Sequence, residues 1–130
     1  MTRRLGILTI VFVTIAATAA PAQTARTKRL MQEKLAHAQH ILAALTTSNY
    51  GLLLKETQAL KQVTQSPQWN ELMTAELRPY TGDFLKALGD LTAAAERRDY
   101  DAAGASYGAL TAACIGCHKH VMSSRIARAP

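Results

Sequence analysis

The sequence predicts an all-α chain folded as an antiparallel four-helix bundle. Three observations carry this reading. Apolar residues recur at spacings of three and four through four separate segments. Residues that break or cap helices, Ser48-Asn49, Ser66-Pro67 and Asp99, fall between those segments. No strand pattern precedes the only two cysteines, which lie close to the C-terminus.

The chain begins with a short basic head, Met1-Thr2-Arg3-Arg4, followed by an apolar run from Leu5 to Ala20. Ala20-Pro21-Ala22 then offers a small-x-small cleavage site, so residues 1–22 read as a secretory signal cut after Ala22. A membrane anchor is the competing reading, but the run is short for a span of about 20 residues. The Arg3-Arg4 pair alone does not make a twin-arginine signal. Residues 23–130 then form one small domain, exported to the periplasm and left without a stable membrane anchor.

The first predicted helix runs from about Thr27 to Thr46, with Met31, Leu35, Ala38, Leu42 and Leu45 on its inward line. His37 and His40 point about 120° and 180° away from Met31 and read as solvated surface residues. The second helix, Tyr50 to Gln65, turns Leu52, Leu53, Ala59, Leu60 and Val63 inward. Glu56 interrupts that stripe, either as a buried functional acid or as a carboxylate reaching solvent or a cation. Gln68 to Pro79 reads as an irregular connection holding Trp69, which is either a core plug or a cofactor neighbour. The third helix, from Pro79 or Tyr80 to Arg97, buries Tyr80, Phe84, Leu88, Leu91 and Ala95. The fourth, Tyr100 to Arg125 behind the Asp99 cap, carries Ala103, Tyr107, Leu110, Cys114, Cys117, His118 and Val121 on its inward line.

Chemistry concentrates in Cys114-Ile115-Gly116-Cys117-His118. C-x-x-C-H is the attachment pattern of c-type haem: two thiols add to the two vinyl groups of one porphyrin and the imidazole ligates its iron. At 100° per residue, Cys114, Cys117 and His118 fall within an arc of about 100° on a helix. A thioredoxin-like pair expects a βαβ context, which is missing. A structural zinc site needs four ligands, for which His37, His40 or His120 would have to be recruited. An inert or disulfide-linked pair is the remaining alternative. The export signal favours haem, and because the motif shares its stripe with core residues, the cofactor belongs inside the bundle.

Charge and composition exclude some functions. Loss of Arg3 and Arg4 with the signal takes the formal charge from +6 to +4, and two haem propionates bring it near +2. The basic residues are scattered, which argues against a nucleic-acid partner. No constellation of acid, base and nucleophile is present, so the chain does not read as an enzyme.

With these residues in hand, the sequence resembles the class II cytochromes c, the cytochrome c′ family, over roughly Met31 to Val121. C-x-x-C-H near the C-terminus is the specific match; Tyr80-Thr81-Gly82-Asp83-Phe84 looks like the family segment before the third helix. The run after the motif, Lys119-His120-Val121-Met122, departs from the aromatic-then-basic pattern of many relatives. The resemblance implies one covalent haem c on the last helix, with Cys114 and Cys117 as thioether anchors and His118 as proximal ligand. It places the distal residue on the first helix, where Met31 is the candidate iron ligand and Leu35 the pocket residue if the site is open. It implies a one-electron carrier with redox protein partners; the alternative is a binder of small gases such as NO or CO. A homodimer is a further implication.

Overall fold

The computed structural model describes residues 19–127, and within them the chain is entirely helical. Five helices follow one another: α1 (Ala19–Thr46), α2 (Tyr50–Val63), α3 (Pro67–Leu72), α4 (Arg78–Glu96) and α5 (Tyr100–Ala127). Of the expected signal segment, residues 1–18 lie outside the described residues, and Ala19–Ala22 begin α1. Among the described residues no helix is long and apolar enough to cross a membrane.

Two turns are built alike. Ser48 and Arg98 both adopt positive φ, 58° and 55°. In each turn the following amide reaches back five residues, Asn49 to the Ala44 carbonyl and Asp99 to the Ala94 carbonyl. This is the Schellman closure, made here without glycine. Asn49 and Asp99 then cap α2 and α5 by accepting from the amides of Leu52 and Ala102. The aromatic residue after each cap completes the correspondence. Tyr50 and Tyr100 meet with ring centroids 4.8 Å apart, and the Tyr50 hydroxyl donates to the Arg98 carbonyl. The two turns therefore lie at the same end of the molecule.

α1 packs chiefly on α2, and α4 on α5; α2 and α4 join these two pairs. The main core gathers Ile41, Leu53, Leu60, Phe84, Leu88, Leu91 and Leu110 with buried alanines on α1, α4 and α5. Small Ala87, Ala94, Ala95 and Ala103 let α4 and α5 approach closely. Each large buried aliphatic contributes about 1.5–3 kcal/mol. A second, smaller cluster holds Leu30, Val63 and Trp69, with Met31, Leu72 and Met73 against it.

Two expectations need correction. The stretch read as irregular from Gln68 contains a fifth helix, α3, whose start is capped by Ser66 and whose first residue is Pro67. Ser-Pro ends α2 and starts α3, because proline suits the first helical position as well as it stops a preceding helix. The buried line of α1 is also not the expected one. Leu30, Ile41 and Ala44 are buried, whereas Leu35 is 57% exposed and Leu42 is exposed too. The true face is rotated by about 90° from the predicted one.

Candidate functional site

Cys114 and Cys117 are free thiols, both half-buried on α5, and Cys114 packs against the main core. His118 is exposed, so the expectation that it lies on the buried line is not met. On the helix, Ile115, His118 and Met122 share one strip beside the thiols. Ile115 is 54% exposed and Met122 63% exposed, an apolar margin next to the imidazole. The opposite side of the motif is occupied by α4. Gly116 lies by the Tyr80 ring, and His120 stacks on that ring at 5.1 Å while bonding the Glu76 carboxylate at 2.9 Å.

Lys34 on α1 is the residue that sequence reasoning missed. Its Nζ lies 4.0 Å from the Trp69 ring centre and 3.9 Å from that of Phe84. Burial lowers its pKa, while the thiols of Cys114 and Cys117 act in the opposite direction. Burial also pushes both thiols up, and the Lys34 cation counters that rise. Lysine carries a charge, but its four-carbon stem packs readily on apolar surface. The available signal was spacing, since Leu30, Lys34, His37, Ile41 and Ala44 follow one helical face.

Met31 is half-buried against the Leu30–Val63–Trp69 cluster, whose Trp69 ring also receives Lys34. Leu35, expected to guard the pocket from the same face, stands in solvent instead. Trp69 is buried and tilted against Phe84 at 6.4 Å, joining the core as a plug.

Two thiols and an imidazole sit within one arc of α5, with exposed apolar side chains beside them and aromatic residues behind Lys34. Contact between α1 and α5 is sparse, and a long flexible lysine fills part of that region.

His40 is exposed as expected, His37 is partly buried, and both reach the same carboxylate. The His37 Nδ1 lies 2.7 Å from Oε2 of Glu56, and the His40 Nδ1 lies 3.4 Å from the same oxygen. Glu56 is buried, with its carboxylate held below its usual pKa by the His37 hydrogen bond first, against the opposing effect of burial. Glu56 therefore does not reach solvent, and its partners are two imidazoles.

No protein-family model matches the chain, and comparisons with curated proteins and with solved structures return no match.

Proposed function

We propose that this chain is an exported, periplasmic monohaem c-type cytochrome of the class II kind, acting as a one-electron carrier for redox protein partners. Its helices form an antiparallel four-helix bundle of α1, α2, α4 and α5, with α3 inserted between α2 and α4. The observation that carries this reading is the C-x-x-C-H motif on α5, whose two thiols interact electrostatically with the Lys34 cation that lies over the Trp69 and Phe84 rings. Haem c would supply one-electron cycling between ferrous and ferric iron.

In this reading Cys114 and Cys117 are the thioether anchors and His118 the proximal ligand. The buried Trp69–Phe84 pair would limit water on its side of the site, which favours a raised potential. Met31 is the distal ligand candidate on α1. Lys34 brings a cation to the same wall, where it can balance a propionate or compete with Met31.

The test is mass and spectrum together. Protein matured in a host with haem-ligation machinery should carry one haem that survives denaturation and acid–acetone extraction. A chain of unmodified mass, or haem that extracts, overturns the assignment. Trp69, the sole tryptophan, adds a second readout. Its fluorescence should be quenched in the haem-bearing protein and recovered in Cys114→Ala/Cys117→Ala.

A further inference from the structure

The haem assignment uses none of His37, His40 and Glu56. They nevertheless converge. The imidazoles come from α1, one turn apart, and the carboxylate comes from the facing turn of α2. One donor atom from each lies within 4.8 Å of the other two. We propose that His37, His40 and Glu56 bind one divalent transition-metal ion, with zinc the best match.

The donor set selects the class of ion. Two imidazoles and one carboxylate suit zinc, copper or nickel, whereas calcium and magnesium want a cage of oxygens. The two imidazole-to-carboxylate distances are close to what zinc requires. With bonds of about 2.0–2.2 Å, a tetrahedral site has ligand-to-ligand edges of about 3.4 Å. The His40 Nδ1 to Glu56 Oε2 separation is already 3.4 Å. The His37 contact, 2.7 Å, has only to open by about 0.7 Å, which small side-chain rotations supply.

Burial is the second argument. The Glu56 side chain is only 7% exposed, so its charge is costly unless it is well partnered. His37 gives it one good hydrogen bond. His40, at 3.4 Å, is too distant to give a second strong one, yet its ring is aimed at the same oxygen. A cation between the three donors would use all of them. Access is open as well, because a groove of about 280 Å³ lined by Leu30, Glu33, His37 and Gln62 runs beside the cluster. Three protein ligands leave a fourth position for water, the count found in open rather than closed zinc sites.

The experiment uses the full mature chain, with whatever it carries covalently, stripped of loose metal by a chelator and titrated with zinc chloride. One equivalent should bind at micromolar concentration or tighter, and the melting temperature should rise. His40→Ala, whose ring is 60% exposed and disturbs packing least, should weaken binding at least about tenfold. Glu56→Gln should do the same, while His120→Ala should leave zinc affinity unchanged. With copper(II) in place of zinc, electron paramagnetic resonance should show coupling to two imidazole nitrogens, falling to one in His40→Ala. Failure to take up stoichiometric zinc overturns the proposal. Binding that survives His37→Ala/His40→Ala but disappears in His118→Ala or His120→Ala overturns it too.

Discussion

The Nζ of Lys34 lies 3.9 Å from the centre of the Phe84 ring, so a cation from α1 that acts on both cysteine thiols rests on an aromatic wall. Such a contact offsets part of the cost of taking an ammonium out of water. It also couples the lysine to the thiols. In chain made without haem, Lys34→Met should raise the pH at which Cys114 and Cys117 become alkylated by iodoacetamide. The sign follows from the cation favouring both thiolates, against the burial that disfavours them. Identical alkylation profiles for parent and variant would show that the ammonium does not act on the thiols.

The Glu56 carboxylate predicts an acid-sensitive fold. Its folded pKa is held below the ordinary 4.5, chiefly by the His37 hydrogen bond. The unfolded chain therefore takes up that proton first as pH falls. The stabilisation is complete above about pH 4.5 and is lost as pH drops through the folded value. Urea midpoints for metal-free protein should fall more steeply on the acid side for the parent than for Glu56→Gln. At neutral pH, Glu56→Ala should cost about 1.5–3 kcal/mol, the range for a hydrogen bond to a charged group. Parallel acid limbs in parent and Glu56→Gln would count against this assignment.

Most of the backbone was legible in the sequence, and the reason lies in the caps. Asn49, Ser66 and Asp99 each accept a hydrogen bond from the first turn of a helix, and each is readable from residue type alone. What failed was the face of α1. That helix carries two apolar lines, Leu30–Ile41–Ala44 and Leu35–Leu42, and hydrophobicity counted alone favours the second. The first line wins because Lys34 and His37 complete it with partners on other elements. Trp69 and Phe84 receive the lysine, and Glu56 receives the histidine. A pattern of single residues cannot show such partners. The C-x-x-C-H motif could be read directly, but the Glu56 cluster draws its donors from two helices, so no local spacing announces it.

The shared end of the two turns supplies a stability test. The Tyr100 hydroxyl is buried with no hydrogen-bond partner among the described residues. A polar group left so costs about 1–3 kcal/mol. Tyr100→Phe keeps the ring against Tyr50 and should therefore raise the melting temperature. A lower melting temperature would mean that the hydroxyl is satisfied in solution.

Ser48 offers a second gain at the same end. Its φ of 58° is a conformation that costs an L-residue about 1–2 kcal/mol, a cost glycine escapes. The residue is exposed at the Schellman position, and its side chain makes no hydrogen bond within the described residues. Ser48→Gly should stabilise the fold by about 0.5–1 kcal/mol, after allowing for the greater freedom of glycine in the unfolded chain. Denaturant midpoints measure it; a destabilised variant would argue that Ser48 does not occupy the left-handed region.

The last prediction decides between electron carrier and gas binder. Leu35 is removed from the contest by its exposure, which leaves Met31, packed against the Leu30–Val63–Trp69 cluster, and Lys34, over the Trp69 ring, as the α1 candidates. A thioether on iron would fill the sixth position and raise the potential, while restricting exogenous ligands. An amine would also fill it, but only after losing its proton, which the burial of Lys34 favours. Met31→Leu and Lys34→Met should therefore be compared in the haem-bearing protein. Met31 ligation requires the weak red absorption band of thioether–iron in the ferric parent, lost in Met31→Leu and kept in Lys34→Met. The reverse outcome, a low-spin parent turned high-spin by Lys34→Met alone, would transfer the ligand to Lys34. A high-spin parent that takes up carbon monoxide freely and ignores both substitutions would replace the electron carrier with a gas-binding protein.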